Sequence, residues 1–411
     1  MQTGEVLKRW LIWVSLGALL MAAAGLLACG GGGSSKGNTT GQTQLFVADT
    51  GNNRVLLYNS PFATGQSAAT VLGQASFTTN TVVGTPTAAS MSGPAYLVVA
   101  SSGALYVVDS GNCRVLQFSP SFITGMAANL AIGQTSGTTN LTTGCSGGSA
   151  TATNLSSPTG VAIDSAGSLW VADTGFSRVL KYLPSITAGE AASVALGQIS
   201  TSSGSSTCSA ASATTLCKPR GLAFDSAGNL WVADMGNNRV LMYRAGNLTT
   251  DGPATVVLGQ PTPSSNSPNY NGVSAMSLNG PTDLVFDSAG NLWVTDTANN
   301  RVLRYPQASQ VSNGAADLEL GQPAATAFSS DTVGTGPSIL ASPSGLAFDS
   351  SGRLFVTDGT VGGANNRTLV FVPPFSNGMA ATLVLGQANF TSSNAGSVSA
   401  ATQSAPQGIG F

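Results

Sequence analysis

Histidine is absent from the 411 residues, and Asp, Glu, Lys and Arg together make up only 8% of them. The first absence removes the commonest general base and a principal zinc ligand. The second, with a net charge of -2, leaves no basic stripe able to neutralise phosphates, so nucleic acid is excluded as an expected partner. Ser, Thr, Gly and Asn fill the stretches between short apolar runs instead. That composition belongs to an all-β, turn-rich chain.

The N-terminus stands apart from the rest. Lys8 and Arg9 precede an apolar stretch from Trp10 to Leu27, and Leu26-Leu27-Ala28-Cys29 resembles a lipobox, cleaved before a cysteine that becomes lipid-modified. An uncleaved membrane helix is the alternative, since about 18 apolar residues can span a bilayer. The lipobox divides the chain into a signal peptide (1–28), a Gly/Ser-rich tether (29–43) headed by Cys29, and a folded body (44–411). It places the body in the cell envelope, outside the cytoplasm, touching the membrane only through the lipid on Cys29.

The body repeats itself. The clearest copy, Pro219 to Tyr243, reads PRGLAFDSAGNLWVADMGNNRVLMY and is followed by Val256-Val257-Leu258-Gly259-Gln260. Asp49, Asp109, Asp173, Asp234, Asp296 and Asp358 recur at intervals of 60, 64, 61, 62 and 62 residues, so no large insertion breaks the register. Four strands are predicted per copy, here Gly221 to Phe224, Leu230 to Ala233, Arg239 to Tyr243 and Thr255 to Leu258. Asp225-Ser226-Ala227-Gly228-Asn229 and Met235-Gly236-Asn237-Asn238 supply the turns. Apolar side chains on both faces of the second strand suit a sheet covered on both sides. The first copy lacks its opening strand, and Ala405 to Phe411 matches the start of a copy and then stops. The expected fold is therefore a six-bladed β-propeller of four-stranded blades, closed by pairing the N- and C-terminal strands.

The line GLAFD-x-x-GNLWVAD-x-x-NNRVL-x-Y is similar to the NHL repeat, and the copies bearing VLGQ look like bacterial NHL-repeat lipoproteins of unassigned role. The resemblance spans roughly residues 44 to 411 and implies the propeller fold; it implies no single function, because propellers host lyases, lactonases, sensors and scaffolds. Two lyase families with similar propellers, the streptogramin lyases and the peptidylglycine amidating lyases, rely on histidine, which this chain lacks. Propeller lactonases hold calcium on carboxylate and amide oxygens at the channel mouth. Only seven acids here lie off the repeat pattern: Glu5, Glu190, Asp251, Asp283, Asp317, Glu319 and Asp331.

A group present once per blade is most simply part of the blade. That reading applies to the Asp49–Arg54, Asp109–Arg114, Asp173–Arg178, Asp234–Arg239, Asp296–Arg301 and Asp358–Arg367 pairs, and to the core aromatics Trp170, Trp231 and Trp293. Departures from the repeat are more informative. The glycine after Pro-x becomes Tyr96 and Asp283 in two copies, and Arg220 is the only charge at the adjacent x position. All three are expected at one mouth of the central channel, as drift of loop ends or as a small polar recognition patch.

The connections from Gly-Gln to the next Pro run about 20 residues or more. They form a polar, nearly neutral face that either binds a partner or merely covers the blade rims. Cys113, Cys145, Cys208 and Cys217 are expected to form disulfides Cys113–Cys145 and Cys208–Cys217. The leading expectation is a monomeric, non-catalytic module without cofactor or bound metal, binding a protein, peptide or glycan on the long-loop face. A calcium-dependent hydrolase or lactonase at the channel mouth is the rival, and an envelope spacer the third reading.

Overall fold

Each repeat folds for reasons local to it. In the fourth blade Asp225 closes the first turn: its Oδ1 accepts the N–H groups of Ala227 and Asn229 at 3.0 and 2.9 Å. Gly228 takes a φ of +80°, where a side chain would be strained. The turn joins strands Pro219–Phe224 and Leu230–Asp234, and a 3-10 turn, Met235–Asn237, leads into Arg239–Tyr243 and then Val256–Leu258. The inner strand thus starts two residues earlier than the sequence suggests, because Pro219 already pairs with Asp234. The outer strand starts one residue later.

Within Leu230–Asp234 every residue is buried. Leu230 and Val232 join the apolar core shared with the third blade, whereas Trp231 and Ala233 join the one shared with the fifth. Strand alternation therefore serves two interfaces, and burial on both faces follows.

The computed structural model describes residues 43–134, 145, 148–324, 327–329, 331–359 and 365–411. The expected signal peptide, Cys29 and the tether as far as residue 42 lie outside the described residues. Among the described residues no helix is long and apolar enough to cross a membrane. Six four-stranded antiparallel sheets are present. The first contains Gln44–Asp49, Arg54–Asn59 and Thr70–Leu72, with Pro406–Gly410 on its inner edge. Phe46 pairs with Gly410 and Val47 with Ile409, so the C-terminal strand closes the ring and covers an edge that would otherwise be open. Phe411 then packs edge-on against Phe355 of the sixth blade at 5.0 Å.

The inner strands crowd the axis. A Cβ on Gly221 would lie 2.7 Å from the Asp283 Cα of the next blade, so glycine at this position follows from close approach of neighbouring backbones. In each blade where the inner-strand proline is paired, the register slips just after it, for example between Pro219 and Leu222 and between Pro281 and Leu284. Such bulges re-aim side chains, here at the channel mouth.

Candidate functional site

The aspartates of the repeat tie the loop face down. Asp234 Oδ2 accepts from Arg239 Nε at 2.7 Å and from Asn237 at 2.8 Å, while Oδ1 accepts the Cys217 N–H at 2.6 Å. The guanidinium then donates to the carbonyls of Ser212 and Thr215 in the incoming connection and of Pro263 in the outgoing one. All six Asp–Arg pairs lie at 2.6–2.8 Å with both side chains fully buried. They are structural clamps. Arg54, Arg178, Arg239 and Arg367 each bridge two connections. Among the described residues Arg114 holds only the incoming one, and Arg301 turns its second nitrogen to Glu319 of the outer strand. The Gly-Gln ends contribute as well, Gln260 donating to Asn238 and Ser267 carbonyls. The long connections are thus pinned near both ends, and only their middles are free to shape a surface.

Two of those middles enclose the larger cavity. It measures about 820 Å³ and lies between the connection entering the third blade, around Ser149, and the one entering the fourth, from Ile199 to Thr215. Ile199 is 78% exposed at its rim, and Phe176 forms part of the wall. Serine hydroxyls and glycine backbone make up most of the lining, with Asp251 the one charged residue. Both disulfides brace these same connections. Cys145 is bonded to Cys113 of the second-blade turn, and Cys208 to Cys217, with Cα atoms 5.0 and 4.9 Å apart. The sequence carried one signal for this wall that went unread: Phe176 stands where the other repeats place an asparagine that bonds the blade aspartate, such as Asn237.

At the channel mouth the structure joins two of the three expected residues. Tyr96 of the second blade donates its hydroxyl to Asp283 Oδ1 of the fifth, across the axis between opposite blades. Asp283 also accepts the N–H groups of Leu284 and Leu346, both at 2.7 Å, and has no exposed surface. Burial pushes its carboxyl up to about 7, against the pull of those donors. Burial and the neighbouring Asp283 raise the Tyr96 hydroxyl well above its ordinary value. The pair forms a bar across the channel.

Asp283 is therefore no open recognition group, and its oxygens are already engaged by three donors. Calcium takes 6–8 oxygen ligands. Among the described residues no group of three or more acids accompanies Asp283, and its surroundings do not fit that ion. Arg220 does not join the bar. It lines a separate cavity of about 460 Å³, together with Thr282, Thr297, Ser342 and Gln407.

Six blades of four antiparallel strands around one axis define a β-propeller. The NHL repeat family model matches residues 155–182, 216–243 and 278–305, in the third, fourth and fifth blades. The chain is thus a six-bladed propeller that carries NHL repeats in those three blades. No curated protein matches the sequence. Among solved structures, a protein of unknown function from Bacteroides caccae is similar with a TM-score of 0.50 at 10% identity, over 90% of this chain and 97% of that one. The periplasmic gluconolactonase PpgL of Pseudomonas aeruginosa gives 0.45 at 18%, over 83% and 81%. A virginiamycin B lyase from Staphylococcus aureus gives 0.37 at 15%, over 69% and 71%. At these identities no activity passes to this chain.

Proposed function

We propose that this propeller is a binding module that holds an uncharged ligand, a glycan or an extended stretch of peptide, in the groove between the connections entering the third and fourth blades. The observation that carries the reading is the coincidence of bracing and cavity: both disulfides tie down the two connections that wall the larger cavity. A surface fixed before binding loses less entropy when a ligand arrives, which is a reason to brace these loops rather than the other four. Hydroxyl and backbone groups beside an exposed aliphatic and an aromatic wall suit a polar, neutral chain with apolar faces.

Anchoring in the envelope through Cys29 belongs to the same proposal, and the two disulfides accord with an oxidising compartment. Replacing either connection wholesale would delete Leu155 or Leu216, which are buried beneath Gly133 and Gly197. Point changes are the proper test. After ligands are found on glycan and peptide arrays, Ile199→Asp should weaken binding at least about tenfold, equal to 1.4 kcal/mol, without lowering the melting temperature. Unchanged affinity in Ile199→Asp and in Ser203→Trp, which fills the groove, would reject it.

A further inference from the structure

The second cavity holds donors with nothing to donate to. Arg220 and Gln407 occupy the same position, one residue after the inner-strand proline, in the fourth and first blades, which face each other across the axis. Both side chains are partly exposed and line one cavity of about 460 Å³. Among the described residues neither the guanidinium nor the carboxamide has a hydrogen-bond or ion-pair partner. Every other arginine of the repeat, by contrast, is paired with its aspartate.

No carboxylate answers Arg220 from within the chain. The lining of this cavity contains no Asp or Glu. Asp283, one residue further along its own inner strand than Thr282, is turned away into the bar with Tyr96 and the Leu284 and Leu346 amides. Two of the three lining hydroxyls are committed: Thr297 donates to the Pro343 carbonyl at 2.7 Å and lies 2.6 Å from the Thr282 hydroxyl. What remains free is a planar fork of guanidinium donors, an amide on the far side, the Ser342 hydroxyl, and the apolar surface of Met235 and Ala298.

We propose that the channel mouth is a second binding site, separate from the loop groove, that takes a small organic monocarboxylate, the carboxylate held by Arg220 with Gln407 donating from the opposite blade. The planar guanidinium matches a planar carboxylate through two parallel hydrogen bonds. One positive charge, unaccompanied by another lining cation, balances one negative charge. The carbon skeleton of the ligand lies toward Met235 and Ala298. Burial weakens the hold of Arg220 on its proton, the cost of keeping a cation without a partner. Such a cost, with no structural return inside the chain, is characteristic of groups kept for a ligand.

The test uses the full-length chain and N-acetylglycine as probe, with its primary amide as the uncharged control and inorganic phosphate as the rival anion, followed by calorimetry. The carboxylate should bind saturably and at least about tenfold more tightly than the amide or phosphate. Arg220→Gln should abolish that preference, Arg220→Lys should restore it in part, and Gln407→Ala should weaken it several-fold. Arg220→Gln should also melt no lower than the parent chain. Equal binding of carboxylate and amide, tighter binding of phosphate, no saturable binding of the carboxylate, or retained preference in Arg220→Gln overturns the proposal. A marked fall in melting temperature for Arg220→Gln would equally overturn it, by making the guanidinium structural. Ile199→Asp should leave this site untouched, so failure here and failure of the groove are told apart.

Discussion

A carboxyl with no exposed surface and an acidity near neutral, as Asp283 has, links the pH of the solution to the stability of the fold. Its value in the folded chain is raised, so the folded state binds the proton more tightly than the unfolded chain does. The stabilisation is full below the unfolded value, near 4, and is lost as pH rises through about 7. In Asp283→Asn one amide N–H group would face the Leu346 N–H, which costs about 1–3 kcal/mol. The parent chain should therefore melt well above Asp283→Asn at pH 5, and the gap should narrow toward pH 8. Parallel melting profiles across that range would remove Asp283 as the group responsible. The aspartates paired with arginine contribute to both chains alike, so the comparison isolates the axial carboxyl. Their own importance is tested by Arg239→Ala, which leaves Asp234 buried without its cation and should cost about 3–5 kcal/mol in chemical denaturation.

Among the elements, the closing strand is the one whose removal is most telling. Deleting 405–411 strips the inner edge from the first blade and removes Ile409 and Phe411 from the core shared with the sixth. Thermal stability should fall sharply or the chain should aggregate; an unaltered melting curve would mean the ring does not depend on this strand. This closure was legible in the sequence because an incomplete first copy and a surplus last one can be added together. Strand order and the turns were legible for the same reason, six copies correcting one another. The bar between Tyr96 and Asp283 was legible only as two departures at one position. Their contact spans 187 residues and depends on the second and fifth blades facing each other, which no local pattern encodes. Gln407 was missed although it departs from the small or hydroxyl residues Ala95, Thr159, Thr282 and Ser344 at its position. The groove went unread because its walls belong to two connections whose distance is set by the clamps, such as Arg178 to Asn154 and Thr201 carbonyls.

At the scale of the whole molecule the governing fact is how little charge there is to act at a distance. Fifteen basic and 17 acidic residues give a net -2, and most arginines are spent inside the blades on their aspartates. A ligand approaching the loop face therefore meets hydroxyls and backbone, with Asp251 the only charge lining the groove. Its affinity should stay constant within about twofold between roughly 50 and 200 mM salt, a range over which a partner held by 6–10 phosphate contacts loses about 10³–10⁵. The carboxylate at Arg220 occupies an intermediate case: one ion pair, partly shielded from solvent, is screened less than an exposed pair and should weaken only a few-fold over that range. Calorimetry at the two salt concentrations separates the cases with one protein. A steep loss for the groove ligand would show that charge drives its binding, and a polar, uncharged glycan or peptide would then be the wrong class of partner.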